Sequence, residues 1–109
     1  MTDCLFCNIA AGKIPSGKVY EDEDVFAFRD IHPKAPTHVL VIPKEHVATL
    51  SDAKDPVLLG MLMSRVQHIA DDVLKLESGY RVIVNVRADG GQEVFHLHVH
   101  ILGGKILPF

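Results

Sequence analysis

The stretch FHLHVHILGG, residues 95–104, alternates histidine with aliphatic side chains and then closes on two glycines. An extended chain sends successive side chains to opposite faces, which puts His96, His98 and His100 on one face and Leu97, Val99 and Ile101 on the other. Two strand rises of ~3.3 Å set neighbouring histidines ~6.6 Å apart at Cα, near enough for their rings to converge on one small group. The aliphatic face packs inward and the histidines form a polar row. Threonine or serine would suffice for an ordinary half-buried strand. Imidazole, with an ordinary pKa of ~6.5, can also attack, hold or donate a proton near neutrality, and a His-x-His step suits Zn²⁺. The stretch therefore reads as a strand carrying either a metal or nucleophilic and acid–base chemistry.

The flanking segments supply the rest of a sheet. Residues 80–86 (YRVIVNV) predict a strand, and RADGGQ (87–92) a turn that leads into the strand at 93–102. Residues 38–42 (HVLVI), closed by Pro43, predict another, while 18–21 and 24–29 read as a hairpin around an acidic turn. Asp55 followed by Pro56 is an N-cap with proline at the first helical position. It opens a long helix to about Leu76, with Gly79 as its stop. Its apolar face comprises Leu58, Met61, Leu62, Val66, Ile69, Val73 and Leu76. A short helix over 5–11 ends at Gly12 and Pro15. The class is α+β: about five antiparallel strands with one long and one short helix, in a single domain spanning 1–109.

The 109 residues are 48% hydrophobic and 23% charged, with a formal net charge of -3, a balance that suits a folded globular protein. Without a Lys/Arg-rich run the chain has no means of neutralising a row of phosphates, which argues against a nucleic-acid partner. A small anionic ligand needs only local donors. The N-terminus carries Asp3 and no early basic residue, so it does not read as a signal peptide, and no apolar run nears ~18 residues. A cytoplasmic protein with no membrane partner is expected. Cys4-x-x-Cys7 then reads as reduced thiols or metal ligands.

The run 96–102 resembles the His-φ-His-φ-His-φ-φ signature of the histidine-triad (HIT) family of nucleotide hydrolases and transferases. Asp30-Ile31, Ala35-Pro36-Thr37-His38, Val41-Ile42-Pro43-Lys44, Gly79-Tyr80-Arg81 with Asn85, and Gly90-Gly91-Gln92 are similar, in that order, to the Hint branch. Leu102-Gly103-Gly104 is similar to it too, where the dinucleoside-polyphosphate hydrolase branch has Pro-Arg.

The resemblance implies a homodimeric HIT fold that hydrolyses purine nucleoside 5′-phosphoramidates. His98 would attack the α-phosphorus to form a nucleotidyl-imidazole, which water then cleaves. His100 would bind the phosphate, His38 would belong to a relay behind the nucleophile, and His96 completes the catalytic group. Asp30 would take the ribose hydroxyls. Asn85, Gln92 and the backbone amides at Gly91 would face the phosphate, and Leu5, Phe6, Ile9, Phe28, Ile31 and Leu40 would hold the base. Glu93 stands where animal members have serine, and an ionised carboxylate cannot donate a hydrogen bond to the leaving amine.

No cofactor is implied for catalysis. Cys4 and Cys7 resemble the zinc pair of other triad relatives, including galactose-1-phosphate uridylyltransferase, which makes His46 and His96 the partners of a structural Zn²⁺. The rival readings are a nucleotide-binding regulatory module with vestigial catalysis, a dinucleoside polyphosphate hydrolase and a His-x-His metallohydrolase.

Overall fold

The computed structural model describes residues 3–109. Five antiparallel strands form one sheet: β1 (Lys18–Glu21), β2 (Val25–Arg29), β3 (Thr37–Pro43), β4 (Tyr80–Ile83) and β5 (Val99–Gly103), in the order β1-β2-β3-β5-β4. The hairpin turn is built by Asp22, whose carboxylate accepts from the backbone N–H groups of Asp24 and Val25 at 2.7 and 2.9 Å. The same side chain takes the Tyr20 hydroxyl at 2.7 Å and Arg65 Nε at 2.6 Å, tying the turn to the long helix.

Alternation sorts the sheet into two apolar layers. Val25, Ala27, Val39, Val41, Val99 and Ile101 pack with Leu97 against Leu62 and Val66 of the long helix and Ile69 and Ala70 just after it. Phe26, Phe28, Leu40 and Ile42 face the other way, against Phe6 and Ile9 of the short helix α1 (Leu5–Ala10). The expected polar row is thus roofed over rather than open: His96 is fully buried and His98 is 8% exposed. Burying a Phe or Ile side chain is worth about 1.5–3 kcal/mol, which accounts for six residues of helix holding their place on the sheet.

The long helix α2 (Pro56–His68) begins as expected, with the Asp55 carboxylate accepting from the Val57 N–H at 2.9 Å. Its end differs from the expectation. Residues Ile69–Val73 widen into a π-type turn, with the Leu74 N–H reaching the Ile69 carbonyl at 2.8 Å and the Leu76 N–H reaching Ala70 at 3.0 Å. Lys75 reverses the chain with φ at 53°. The wider turn rotates Val73 off the packed face and leaves it 39% exposed.

The strands expected at 80–86 and 93–102 are both shorter. Pairing of β4 with β5 ends at Ile83 opposite His100. Upstream of Val99 the chain leaves the ladder because the Leu97 N–H bonds to the Val47 carbonyl at 2.7 Å. His96 and His98 therefore sit on an irregular approach to β5, although their faces still alternate with Leu97 and Val99. At the end of β5, a Cβ on Gly103 would meet the Leu76 side chain at 3.1 Å, and one on Gly104 would lie 2.9 Å from Pro36, so the exit between these two neighbours is tight at both glycines. Among the described residues no helix is long and apolar enough to cross a membrane.

Candidate active site and metal centre

β3 and β5 lie side by side with Leu40 opposite His100 and His38 opposite Leu102, which brings His38 beside His100. Backbone partners, whose roles are unambiguous, fix the ring protons one after another. The Lys34 N–H donates to His38 Nδ1 at 3.0 Å, so in a neutral ring the proton sits on Nε2. That Nε2–H donates to His100 Nδ1 at 2.9 Å, with the Asp30 carboxylate 3.5 Å away. His100 must then carry its proton on Nε2, a buried atom with no hydrogen-bond partner among the described residues. A buried donor left unpaired costs about 1–3 kcal/mol, and it suits an anionic acceptor.

His98 is set the opposite way. Its Nδ1–H donates to the His96 carbonyl at 2.7 Å, leaving Nε2 as the bare nitrogen. Its ring packs edge-on to Phe6, with centroids 5.1 Å apart and planes at 87°, and lies 5.1 Å from the His100 ring. Burial lowers the pKa of His38, His98 and His100, and for His100 the neighbouring imidazoles His98 and His38 push further, to about 4. Each shift favours the neutral ring, the form on which the tautomer chain is built.

Asp30 stands next to this relay, half-buried, its Oδ1 accepting from the His32 N–H at 2.8 Å. Phe6, Ile9, Phe28 and Leu40 are core residues packed against one another, whereas Leu5 is 44% and Ile31 84% exposed. The expected base pocket thus divides into a buried floor and two open rims. Asn85 is half-buried, and Gly91 and Glu93 are exposed.

Gln92 is not available as drawn from the sequence. Its Oε1 accepts from the Arg87 N–H at 2.9 Å, and its Nε2 donates to the Ala48 and Val94 carbonyls at 2.9 and 3.0 Å. Both amide hydrogens are consumed in pinning the loop, so its side chain is a loop brace rather than a phosphate donor. Gly90 has an equally local duty, since a Cβ there would lie 2.7 Å from the Val86 nitrogen and oxygen.

His96 faces a second centre. Its Nε2–H donates to the Pro43 carbonyl at 2.7 Å, which leaves Nδ1 bare. That atom lies 3.2 Å from Cys4 Sγ, 3.4 Å from Cys7 Sγ and 3.2 Å from His46 Nδ1, with Cys7 Sγ 3.4 Å from His46 Nδ1. All four donor atoms lie within 4.8 Å of one another. A tetrahedral zinc with Zn–N of ~2.0–2.1 Å and Zn–S of ~2.3 Å has ligand-to-ligand edges of ~3.3–3.8 Å. The cluster fits that ion in donor type, number and spacing. The Pro43 carbonyl also supplies the orienting partner that a ligating imidazole needs.

Burial raises the Cys7 thiol to about 11, and Cys4 beside it adds to the rise, so metal binding must expel a proton there. A 730 Å³ groove lined by Asp3, Leu5, Glu93, Val94 and Phe95 opens onto Cys4, Cys7 and His46 and gives an ion a route in. Of the two roles expected for His96, the ring faces the Cys/His cluster, and its carbonyl faces the His98 ring. Sequence reading also missed the Lys34 N–H and the Pro43 and Val47 carbonyls, main-chain groups that carry no residue signal.

The HIT domain is matched over residues 11–106. Protein HitA of Neisseria gonorrhoeae is 47% identical over 108 residues, spanning 97% of this chain and all of that one. A purine nucleoside phosphoramidase of Escherichia coli K12 is 44% identical over 107 residues, spanning 96% and 90%. Among solved structures, a histidine triad protein from Clostridium difficile superposes with a TM-score of 0.93 at 49% identity, covering 100% of this chain and 96% of its own. A HIT family hydrolase from Legionella pneumophila gives 0.92 at 48% identity over 98% and 97%. The chain belongs to the HIT family.

Proposed function

We propose that this chain hydrolyses purine nucleoside 5′-phosphoramidates, such as adenosine 5′-monophosphoramidate, to the nucleoside monophosphate and an amine. The single observation that carries the reading is the 2.7 Å bond from His98 Nδ1–H to the His96 carbonyl, which presents a bare, neutral Nε2. That nitrogen attacks phosphorus, the P–N bond breaks, and the amine leaves after taking up a proton from solvent, which the attacking water of the second step returns. Water then attacks the same phosphorus, the N–P bond to His98 breaks, and the nucleotide departs. The unpaired Nε2–H of His100 donates to a phosphate oxygen, and Asp30 takes the ribose hydroxyls. The purine lies between the rims Leu5 and Ile31 over the Phe6 and Phe28 floor. The 44% identity to the Escherichia coli phosphoramidase supports the substrate class.

The Cys4, Cys7, His46 and His96 cluster holds a structural Zn²⁺ on this reading, and the metal takes no part in bond breaking. The homodimer belongs to the same proposal: β4 is an outer strand of the sheet, and Val82 on it is 36% exposed.

Mass spectrometry of protein mixed with adenosine 5′-phosphoramidate and quenched in mild alkali should find a nucleotidyl adduct on His98. His98→Ala should lose turnover while still binding AMP. Turnover by His98→Ala at the wild-type rate would refute the mechanism. Absence of turnover in wild type, with AMP still bound, would favour the regulatory binding module.

A further inference from the structure

His96 is shared by two centres, one through its ring and the other through its main chain. Its imidazole Nδ1 meets both cysteines and His46, while its carbonyl accepts the His98 Nδ1–H. A second link runs in parallel. Cys4 caps α1 by accepting from the Cys7 N–H at 3.3 Å, and Phe6, held between these two cysteines on that single turn, packs edge-on against both rings, 6.2 Å from His96 and 5.1 Å from His98.

We propose that His96 is a positioning residue through which occupancy of the Cys/His cluster by a zinc-type divalent ion sets the orientation of the His98 ring. With the ion bound, the Nδ1 of His96 and the two thiolates are fixed within a tetrahedron, so the His96 main chain and the Phe6 ring hold one place each. The carbonyl then stays aimed at His98 Nδ1–H, and Nε2 stays bare and directed. Without the ion, the six-residue α1 loses that tie and keeps its apolar packing and thiol contacts. The His96 peptide can then rotate, and His98 can exchange to the tautomer that blocks its own Nε2. Metal content thus becomes a control on the nucleophile without a metal in the reaction. That consequence for turnover rests on the reading of His98 as the attacking group, whereas the coupling itself can be read with no substrate present.

The test uses the full-length, ¹⁵N-labelled protein at one fixed pH near 8, stripped by chelator and then titrated with Zn²⁺ alone. Long-range ¹H–¹⁵N spectra of the imidazoles report each ring's tautomer. Zinc should bind in 1:1 ratio, and His98 should pass from a mixed or broadened pattern to a single Nδ1–H pattern in step with loading. The His38 and His100 signals, held by Lys34 and by each other, should move far less. His46→Asn, at an exposed position that leaves the core untouched, should weaken zinc binding by more than the roughly 10–100-fold that loss of a ligand's orienting partner costs, and shift the His98 transition to correspondingly higher zinc. A His98 pattern that stays the same from stripped to fully loaded protein would overturn the proposal, as would failure to bind zinc. Loss of coupling with phosphoramidase activity intact would leave the catalytic reading standing, and coupling without activity would separate the two in the other direction.

Discussion

Acid should unfold this protein through His100, and the amount can be worked from its surroundings. The ring is pushed from the ordinary 6.5 to about 4 by burial first, then by the neighbouring imidazoles His98 and His38. In the folded state His100 therefore stays neutral over a range in which the unfolded chain already binds a proton. Where the unfolded state binds more protons, stability rises with pH, so this contribution is complete above about pH 6.5 and is lost as pH falls toward 4. At 1.36 kcal/mol per pH unit, the loss between pH 7.5 and 4.5 is about 2.5 kcal/mol from this one ring, a large share of the stability of a small domain.

The control is His100→Asn, whose side-chain oxygen can stand where Nδ1 accepts the His38 Nε2–H while removing the titration. Urea unfolding at pH 7.5, 6.0 and 4.5 reads the difference. The wild-type midpoint should fall over this range by about 0.8–2.5 M more than that of the variant, for a urea slope of about 1–3 kcal/mol per molar. Parallel pH profiles for the two proteins would show that His100 is not held neutral by its burial, and would remove the basis for its free Nε2–H donor.

The remaining expectations concern positions whose roles are local. His38→Ala deprives the Lys34 N–H of its acceptor and frees His100 to adopt either tautomer. It should lower kcat by up to about 100-fold with a smaller change in KM, measured by steady-state hydrolysis of adenosine 5′-phosphoramidate. Asp22→Ala removes four hydrogen bonds at once and should cost about 2 kcal/mol in a urea melt. Gly90→Ala forces a methyl to within 2.7 Å of Val86 backbone atoms, and should lower the melting temperature by roughly 10 °C for a cost near 2 kcal/mol. A variant melting within a degree of wild type would show that the 87–92 turn yields freely.

The helix start was legible because Asp55-Pro56 satisfies a backbone need with a side chain, and side chains are what a sequence spells out. The facing of the triad was legible for a similar reason: alternation along Leu97, His98, Val99 and His100 survives even where the ladder does not. What escaped reading is written in main-chain groups. Strand β5 starts only at Val99 because Leu97 prefers the Val47 carbonyl, and no residue type in 93–98 announces that choice. The long helix ends early in a wide turn over Ile69–Val73 although Val73 and Leu76 keep the helical apolar spacing. Within the site, Cys4, Cys7, His46 and His96 could be named as one ligand set from resemblance and Asp30, His38 and His100 singly, and the polar atoms of each group lie together. The role of Gln92 could not, because an amide facing a phosphate and an amide bracing three carbonyl and amide neighbours look alike in one dimension.

The glycine pair at the end of β5 is legible as a family mark, yet each member answers to a different part of the molecule. Gly103 yields room to Leu76, at the close of the helical arm, and Gly104, at φ 93°, yields room to Pro36, at the entry of β3. Change at these places is therefore tied in pairs: a methyl at 103 requires the end of the Leu76 side chain to give way or to be shortened, while position 104 has no such exchange, because its backbone angle strains any side chain whatever stands at 36. Drift in this chain can loosen the first glycine and must keep the second.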